Sequence, residues 1–240
     1  MRRLLFILTG LLCSVAVKEN VQAQSMWVSA EAKFGLTKDL SGYIGGEYRT
    51  LNSFAGTDRW SATAGLDYKV CKYVKLSAEY SYIHRHVMER ITSKGNRIDS
   101  YWQPRHRAAF AVTGSYKWGQ FTLSLRELYQ YTHHTGGFYV GKVDAETGKV
   151  KSDEYIETKD KHLLRSRLKG EYKIRKSGFT PYLTAEIYNN FSGFAYEKSR
   201  FTIGTEYKFT KHHSVDIFYR YMLGDDNGSH VIGLGYQFKL

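Results

Sequence analysis

The sequence predicts an all-β fold, a transmembrane antiparallel up-and-down β-barrel of ten to twelve strands. Three observations lead there: side chains alternate with a period of two through most of the chain, the connections alternate between short and long, and the first residues read as an export leader. The alternation is clearest in PRHRAAFAVTGSYKW, residues 104–118. Arg105, Arg107, Ala109, Ala111, Thr113, Ser115 and Lys117 form one set, and His106, Ala108, Phe110, Val112, Gly114, Tyr116 and Trp118 the other. A period of two places successive side chains on opposite faces of a strand. One face here is small and basic, the other apolar and closed by aromatics. That combination fits a polar lumen on one side and lipid on the other.

The N-terminus is a separate object. Met1-Arg2-Arg3 is basic, Leu4 to Val17 is apolar, and Val21-Gln22-Ala23 offers small or short residues at the −3 and −1 positions before Gln24. This is the pattern of a secretory signal peptide, residues 1–23, which leaves 24–240 as the barrel. The apolar run of about fourteen residues is too short to span a bilayer as a helix. Leu12 precedes Cys13, where a lipoprotein signal would have a small residue. Cys71 is then the one cysteine left, which excludes an internal disulfide and a multi-cysteine metal site. The leader's three cations and one anion take the formal charge from +12 to +10. Export and lipid-type alternation argue against nucleic acid as the partner of this basic excess; a polar lumen, or contact with anionic outer-membrane lipid, accounts for it better.

The strands follow in order. Met26–Leu36 turns Val28, Ala30, Ala32, Phe34 and Leu36 outward, with Glu31 and Lys33 opposite. After the turn 37–39, Leu40–Leu51 sends Glu47 and Arg49 inward. A loop at 52–58 leads to a strand with Trp60, Ala62, Ala64, Leu66, Tyr68 and Val70 outward. Tyr73 to about Arg90 follows, then a polar loop, about Ile91–Gln103. The 104–118 strand is joined at Gly119 to Gln120–His133, where Glu127 falls on the apolar face and a β-bulge is expected to re-aim it. Residues 134–160 are the longest connection, with a small hairpin expected around Ala145–Gly148. The next strand sets Arg165, Arg167, Lys169, Glu171 and Lys173 against Leu164, Ser166, Leu168, Gly170, Tyr172 and Ile174. Strands Phe179–Asn190, Ser199–Phe209 and Ser214–Leu223 come next, then an Asp225–Gly228 hairpin loop with its Asn-Gly pair, and His230–Leu240. Short periplasmic turns and long outer loops are what barrels show, whereas a soluble sandwich would not keep rows of Arg and Lys on one face. These segments number eleven. Single-chain bacterial barrels have even strand numbers, so a wall of ten or twelve is expected.

The chain also resembles the outer-membrane barrel family called domain of unknown function 2490, of Bacteroidetes-type Gram-negative bacteria. The resemblance rests on Trp27, Lys38 and Leu40 at the start, Arg105-x-Arg107, the run Leu163 to Lys169, GTEYKFTKHHSVDIFYRY from Gly204, and the closing GLGYQFKL. It covers nearly the whole mature chain and implies fold and location, with no assigned activity.

The inward face holds roughly eighteen Lys and Arg against about eight Asp and Glu by the alternating-face rule. Hairpin geometry sets Arg167 opposite Glu186, Asp67 near Lys75, and Glu206 opposite Asp216, with Arg220 on the same face as the last pair. The inward charges are expected to form a structural charge network that fills and stiffens the barrel, the alternative being a narrow pore for a small anionic solute in which unpaired Arg105, Arg107, Arg126 and Arg165 form a basic constriction. Glu206 and Asp216 are the one carboxylate pair with acid–base potential. A barrel enzyme acting on envelope lipids would need a Ser–His or carboxylate constellation at the outer rim. The only His-x-Ser is His212-His213-Ser214, at a short turn. His84-Arg85-His86 and His133-His134 read as surface histidines rather than metal ligands. The expectations are therefore no catalytic residues, no metal and no cofactor; outer-membrane lipid and the barrel-assembly machinery, through strand 230–240, are the expected partners. The mixed-charge loop 134–160 reads as solvated.

Overall fold

The computed structural model describes residues 24–51, 54, 56–224 and 229–240. The leader, the Asp225–Gly228 loop and part of the 52–58 loop lie outside the described residues. The elements are β1 (Gln24–Gly35), β2 (Leu40–Thr50), β3 (Thr57–Lys69), β4 (Val74–Val87), β5 (Arg90–Ile91), β6 (Asn96–Ile98), β7 (Tyr101–Trp118), β8 (Phe121–His134), β9 (Phe138–Val140), β10 (Lys142–Asp144), β11 (Glu154–Ile156), β12 (Lys159–Tyr172), β13 (Phe179–Asn190), β14 (Tyr196–Lys208), β15 (His213–Leu223) and β16 (Ser229–Lys239).

Eleven strands close into a barrel in the order β1-β2-β3-β4-β7-β8-β12-β13-β14-β15-β16 and back to β1. The even number expected from the sequence is corrected. Neighbouring staves are antiparallel, so in an odd-stranded wall the first and last run the same way and must close in parallel. They do, from Gln24 opposite His230 to Lys33 opposite Lys239. The staves start or end within a few residues of the expected limits, and Phe179–Asn190 matches them.

Sequence alternation maps onto the wall. Outward side chains are large and apolar yet solvent-accessible: Phe110 is 59% exposed, Leu125 52% and Leu183 62%. An apolar band of this extent, all the way round a barrel, needs a lipid environment. Aromatics flank it at the short-turn end, where Tyr73 stacks on Tyr116 and Phe179 on Tyr207. Glu127 is a second correction. The register shifts only between Arg49 and Thr50 and between Tyr188 and Asn189, so no bulge re-aims it. It stays outward, opposite Val112 on β7 and Ser166 on β12, and the Ser166 hydroxyl donates to Oε2 at 2.7 Å.

Inward aromatics need room inside the wall, and glycine on the next strand provides it. The Tyr43 ring on β2 occupies the place of a Cβ at Gly65 on β3, and the Phe218 ring on β15 does the same at Gly233 on β16.

The two longest connections fold on each other. β6, from the 88–100 connection, pairs with β5 and β10, and β9 pairs with β11 within residues 135–158. Ile98, Val140 and Ile156 form a small buried core between them, with Tyr101 and Phe138 packed against it. Lys142 meets Glu154 at 2.9 Å and Lys151 meets Asp144 at 2.9 Å. The expected hairpin is a tight turn at Asp144–Gly148, Gly148 taking a positive φ of 68°. The solvated loop of the sequence reading is thus a folded cap with its own core.

Candidate functional site

The lumen is the candidate site, since alternation delivers the charged side chains of every stave to it. It encloses a cavity of about 620 Å³ whose lining includes Arg49, Arg59, Arg85, Arg105, Arg107, Arg165, Arg167, Arg200 and Arg220, with Glu31, Glu186, Glu206 and Asp216 as the carboxylates.

Two buried inward aromatics organise the half nearer the long loops. Trp27, on β1, is 6% exposed and lies under three guanidiniums: Arg49 at 3.3 Å, Arg220 at 4.7 Å and Arg200 at 5.5 Å from the ring centroid. Tyr188, on β13, is 2% exposed and lies between Arg165 at 4.7 Å and Arg200 at 4.6 Å. Arg200 bridges the two rings and donates to the Tyr188 oxygen, while Tyr188 donates to Glu186 Oε2 at 2.8 Å. Planar guanidiniums stack on aromatic faces and are weakly hydrated, so rings of this kind can hold several together away from bulk water. Neither ring was singled out for the lumen from the sequence. The signal was present: Trp27 shares the parity of Glu31 and Lys33, and Tyr188 that of Glu186.

The expected lumen residues lie at inward positions of their staves, all but Arg126 line the cavity, and their pairing differs from the expected one. Arg167 faces Glu186 in register, yet Glu186 is bonded by Arg165, at 2.9 and 3.3 Å. A long side chain reaches the diagonal position of the next strand as readily as the direct one. Arg165 also donates to Gln130 Oε1 at 3.0 Å, so it is a paired strut rather than part of an unpaired gate. Arg105 donates to Gln103 Oε1 at 3.0 and 3.3 Å and Arg107 to Thr132 Oγ1 at 3.4 Å, both neutral acceptors. Arg126 leaves a buried Nε without a partner among the described residues, as does Arg200. Arg220 donates to Thr202 at 2.9 Å. The carboxylates of this half are Glu47, bidentate with Arg49 at 2.6 and 2.8 Å; Asp58, at 3.3 Å from Arg85; Glu186; and Glu197, at 2.5 Å from Lys161.

The half nearer the short turns is balanced. Asp67 receives Lys33 at 2.5 Å, Lys75 at 3.0 Å and Ser77 at 2.7 Å, so the expected Asp67–Lys75 pair is present with two further partners. Tyr43 donates to Glu79 at 2.9 Å, Gln237 to Glu31 at 2.8 Å, and Lys169 meets Glu171 at 2.5 Å. Glu206 does face Asp216 in register. Their side chains part, however: Glu206 turns to Lys208 at 3.5 Å and Asp216 accepts from Tyr182 at 2.9 Å. Phe218 stands between Asp216 and Arg220 on the inward face, and Arg220 stacks on its ring at 4.7 Å.

The remaining histidine motifs do not assemble a site. His213 faces outward and bonds Tyr236 at 2.6 Å, while its neighbour Ser214 points inward and is 6% exposed; adjacent residues of a strand cannot share a face. His84 and His86 stack on Trp102 at 4.9 and 5.0 Å, and His133 bonds Asp160 at 2.8 Å. Among the described residues, no group of three or more His, Cys, Asp and Glu is placed to hold a metal ion.

A family model described as "Protein of unknown function (DUF2490)" matches residues 24–232. No curated protein matches the chain. Among solved structures, the translocator domain of autotransporter NalP from Neisseria meningitidis superposes with a TM-score of 0.58 at 12% identity, over 81% of this chain and 73% of that one. The β-domain of the Bordetella autotransporter BrkA gives 0.52 at 12% identity, over 82% and 78%. At such identities the likeness is one of fold, that of outer-membrane β-barrels.

Proposed function

We propose that this chain, which belongs to the family described as protein of unknown function (DUF2490), is an outer-membrane β-barrel whose lumen binds and slowly passes small anions. The observation that carries the reading is the uneven lumen. Arg105, Arg107, Arg126, Arg167, Arg200 and Arg220 make no ion pair with a carboxylate among the described residues, and all but Arg126 line the 620 Å³ cavity. Like charges held close in a confined, low-dielectric space repel, and a mobile anion relieves that repulsion. Rings of Arg and Lys are the usual way in which a pore favours anions. In this reading the stacked Trp27 and Tyr188 rings narrow the passage and keep the unit conductance small.

The apolar outward band, the flanking aromatics and the leader sequence support the outer membrane as its location. The last strand, which closes the barrel against β1, is in this reading the segment offered to the barrel-assembly machinery.

Planar bilayers test the proposal. The purified barrel, placed in a potassium chloride gradient, is expected to give small channels whose reversal potential lies on the chloride side of zero. No channel activity from folded protein, or a cation-selective reversal potential, overturns it.

A further inference from the structure

One arrangement recurs three times on the outward wall near the long-loop end. Tyr80 and Tyr82 on β4 meet His106 on β7, Tyr129 and Tyr131 on β8 meet His162 on β12, and Tyr219 and Tyr221 on β15 meet His230 on β16. The register is the same each time: the histidine lies opposite the second tyrosine, and the first sits on the diagonal. So is the geometry. The first tyrosine's oxygen is 2.7, 2.7 and 2.5 Å from histidine Nδ1, and the second tyrosine's ring centroid is 5.5, 5.1 and 5.0 Å from the imidazole's.

His213 at the short-turn end is held in the same way by Tyr236, with Phe238 in the place of the second tyrosine, so among the described residues only the three groups at the long-loop end add a second phenol beside the imidazole. A phenol that donates to Nδ1 fixes the tautomer with the hydrogen on Nε2, at the far edge of the ring. The second tyrosine holds the ring plane. Each module therefore presents one oriented N–H beside one phenol. Around them, alternation has sent every Lys and Arg of the staves inward, and the outward wall has no other ionisable nitrogen than its histidines.

We propose that the Tyr-x-Tyr/His modules bind the phosphate groups of lipid headgroups in the leaflet at the long-loop end. The site faces lipid, just beyond the apolar band, where headgroup phosphates lie. The imidazole N–H and the second tyrosine's O–H supply two donors to phosphate oxygens. The three modules differ in one respect. Asp160 accepts from Tyr131 at 2.9 Å and lies beside the β8/β12 module, where it repels an anion. The β4/β7 and β15/β16 modules are the stronger sites.

Native mass spectrometry of the detergent-solubilised barrel, with short-chain phosphatidic acid or diacylglycerol of the same chains, tests this. Wild-type protein is expected to keep phosphatidic acid adducts and few diacylglycerol adducts. His106→Phe and His230→Phe, which retain a ring against Tyr82 and Tyr221, each remove about one adduct; His162→Phe removes less. Tyr80→Phe and Tyr219→Phe, which release Nδ1, weaken retention without abolishing it. Heat-dependent gel mobility reports that each variant is a folded barrel, and the single variants stand on their own where a triple variant fails to fold. Equal retention of the two lipids, or an unchanged adduct number in folded His106→Phe and His230→Phe, overturns the proposal. Competition by inorganic phosphate that strips the adducts also overturns it, because the ligand is then a soluble anion. The lumen arginines are untouched in these variants, so the outcome is independent of ion selectivity.

Discussion

The two halves of the lumen are built from the same staves by the same alternation, yet they treat charge differently. Toward the short turns, carboxylates meet a lysine, a tyrosine or an amide: Asp67 has Lys33, Lys75 and Ser77, and Asp216 has Tyr182. Toward the long loops, arginines outnumber carboxylates, and rings replace counter-ions. Arg49, Arg200 and Arg220 share Trp27, and Arg165 and Arg200 share Tyr188. The choice of cation follows. A lysine ammonium is a compact, strongly hydrated charge that suits a carboxylate near water, while a guanidinium stacks, stays charged and tolerates burial. One half is held by ion pairs. The other is a cationic chamber lined by aromatics.

Removing the central ring is the severest way to break that contrast. Trp27→Ala deletes a buried side chain and the surface that three guanidiniums share, so stability is expected to fall by about 3–5 kcal/mol. Reversible urea unfolding in lipid vesicles measures this. On the proposed pore reading, the surviving folded protein is expected to conduct more than wild type in bilayers; an unchanged conductance places the constriction in the other half.

The ion-paired half gives the next effect. Asp67→Asn leaves Lys33 and Lys75 facing each other without their shared anion. Both lysines are partly exposed, at 28% and 43%, which moderates the cost to about 1–3 kcal/mol. The same urea titration reads it. Anion preference is expected to persist or rise. A variant that loses stability and selectivity together shows that the two halves act as one network.

Selectivity without much change in stability is the expected result in the chamber. The triple change Arg107→Gln, Arg126→Gln and Arg167→Gln removes three cations that have neutral partners or none, so folding loses little and like-charge repulsion falls. The reversal potential is expected to move toward zero. A potential that stays on the chloride side assigns selectivity to the arginines stacked on Trp27 and Tyr188 instead.

Much of this was legible in the sequence because a barrel strand writes its two environments on alternate residues. Staves, lumen-facing arginines and the register pairs Arg167–Glu186 and Glu206–Asp216 all follow from counting by twos and from turn positions. What counting cannot supply is what long side chains do after leaving the wall. Arg165 takes Glu186 on the diagonal, and Glu206 and Asp216 face each other yet choose other partners. Closure was hidden for a different reason. Strand parity depends on which edge the ends choose, and the parallel β1–β16 seam is a contact between residues about two hundred positions apart. The cap was missed because strands of two or three residues, such as β5, β6 and β9, are too short for periodicity to register.

The smallest expected effect tests the wall against the lumen. Glu127 is the one acidic side chain among the apolar outward residues of β8, with Leu125 below it and Tyr129 above, and its carboxylate is held by Ser166 alone. On the wall, a single hydrogen bond makes it tolerable, since lipid-facing Asp and Glu are less destabilising than Arg and Lys. Glu127→Gln, which can still accept from Ser166, is therefore expected to change stability by less than about 1 kcal/mol at neutral pH. Glu127→Leu removes the polar group from the band and is expected to be neutral or stabilising by about 1 kcal/mol. Vesicle unfolding of both variants decides the matter: a loss larger than that of Asp67→Asn would mean that Glu127 has a structural partner beyond Ser166, and that the wall is not the inert side of this barrel.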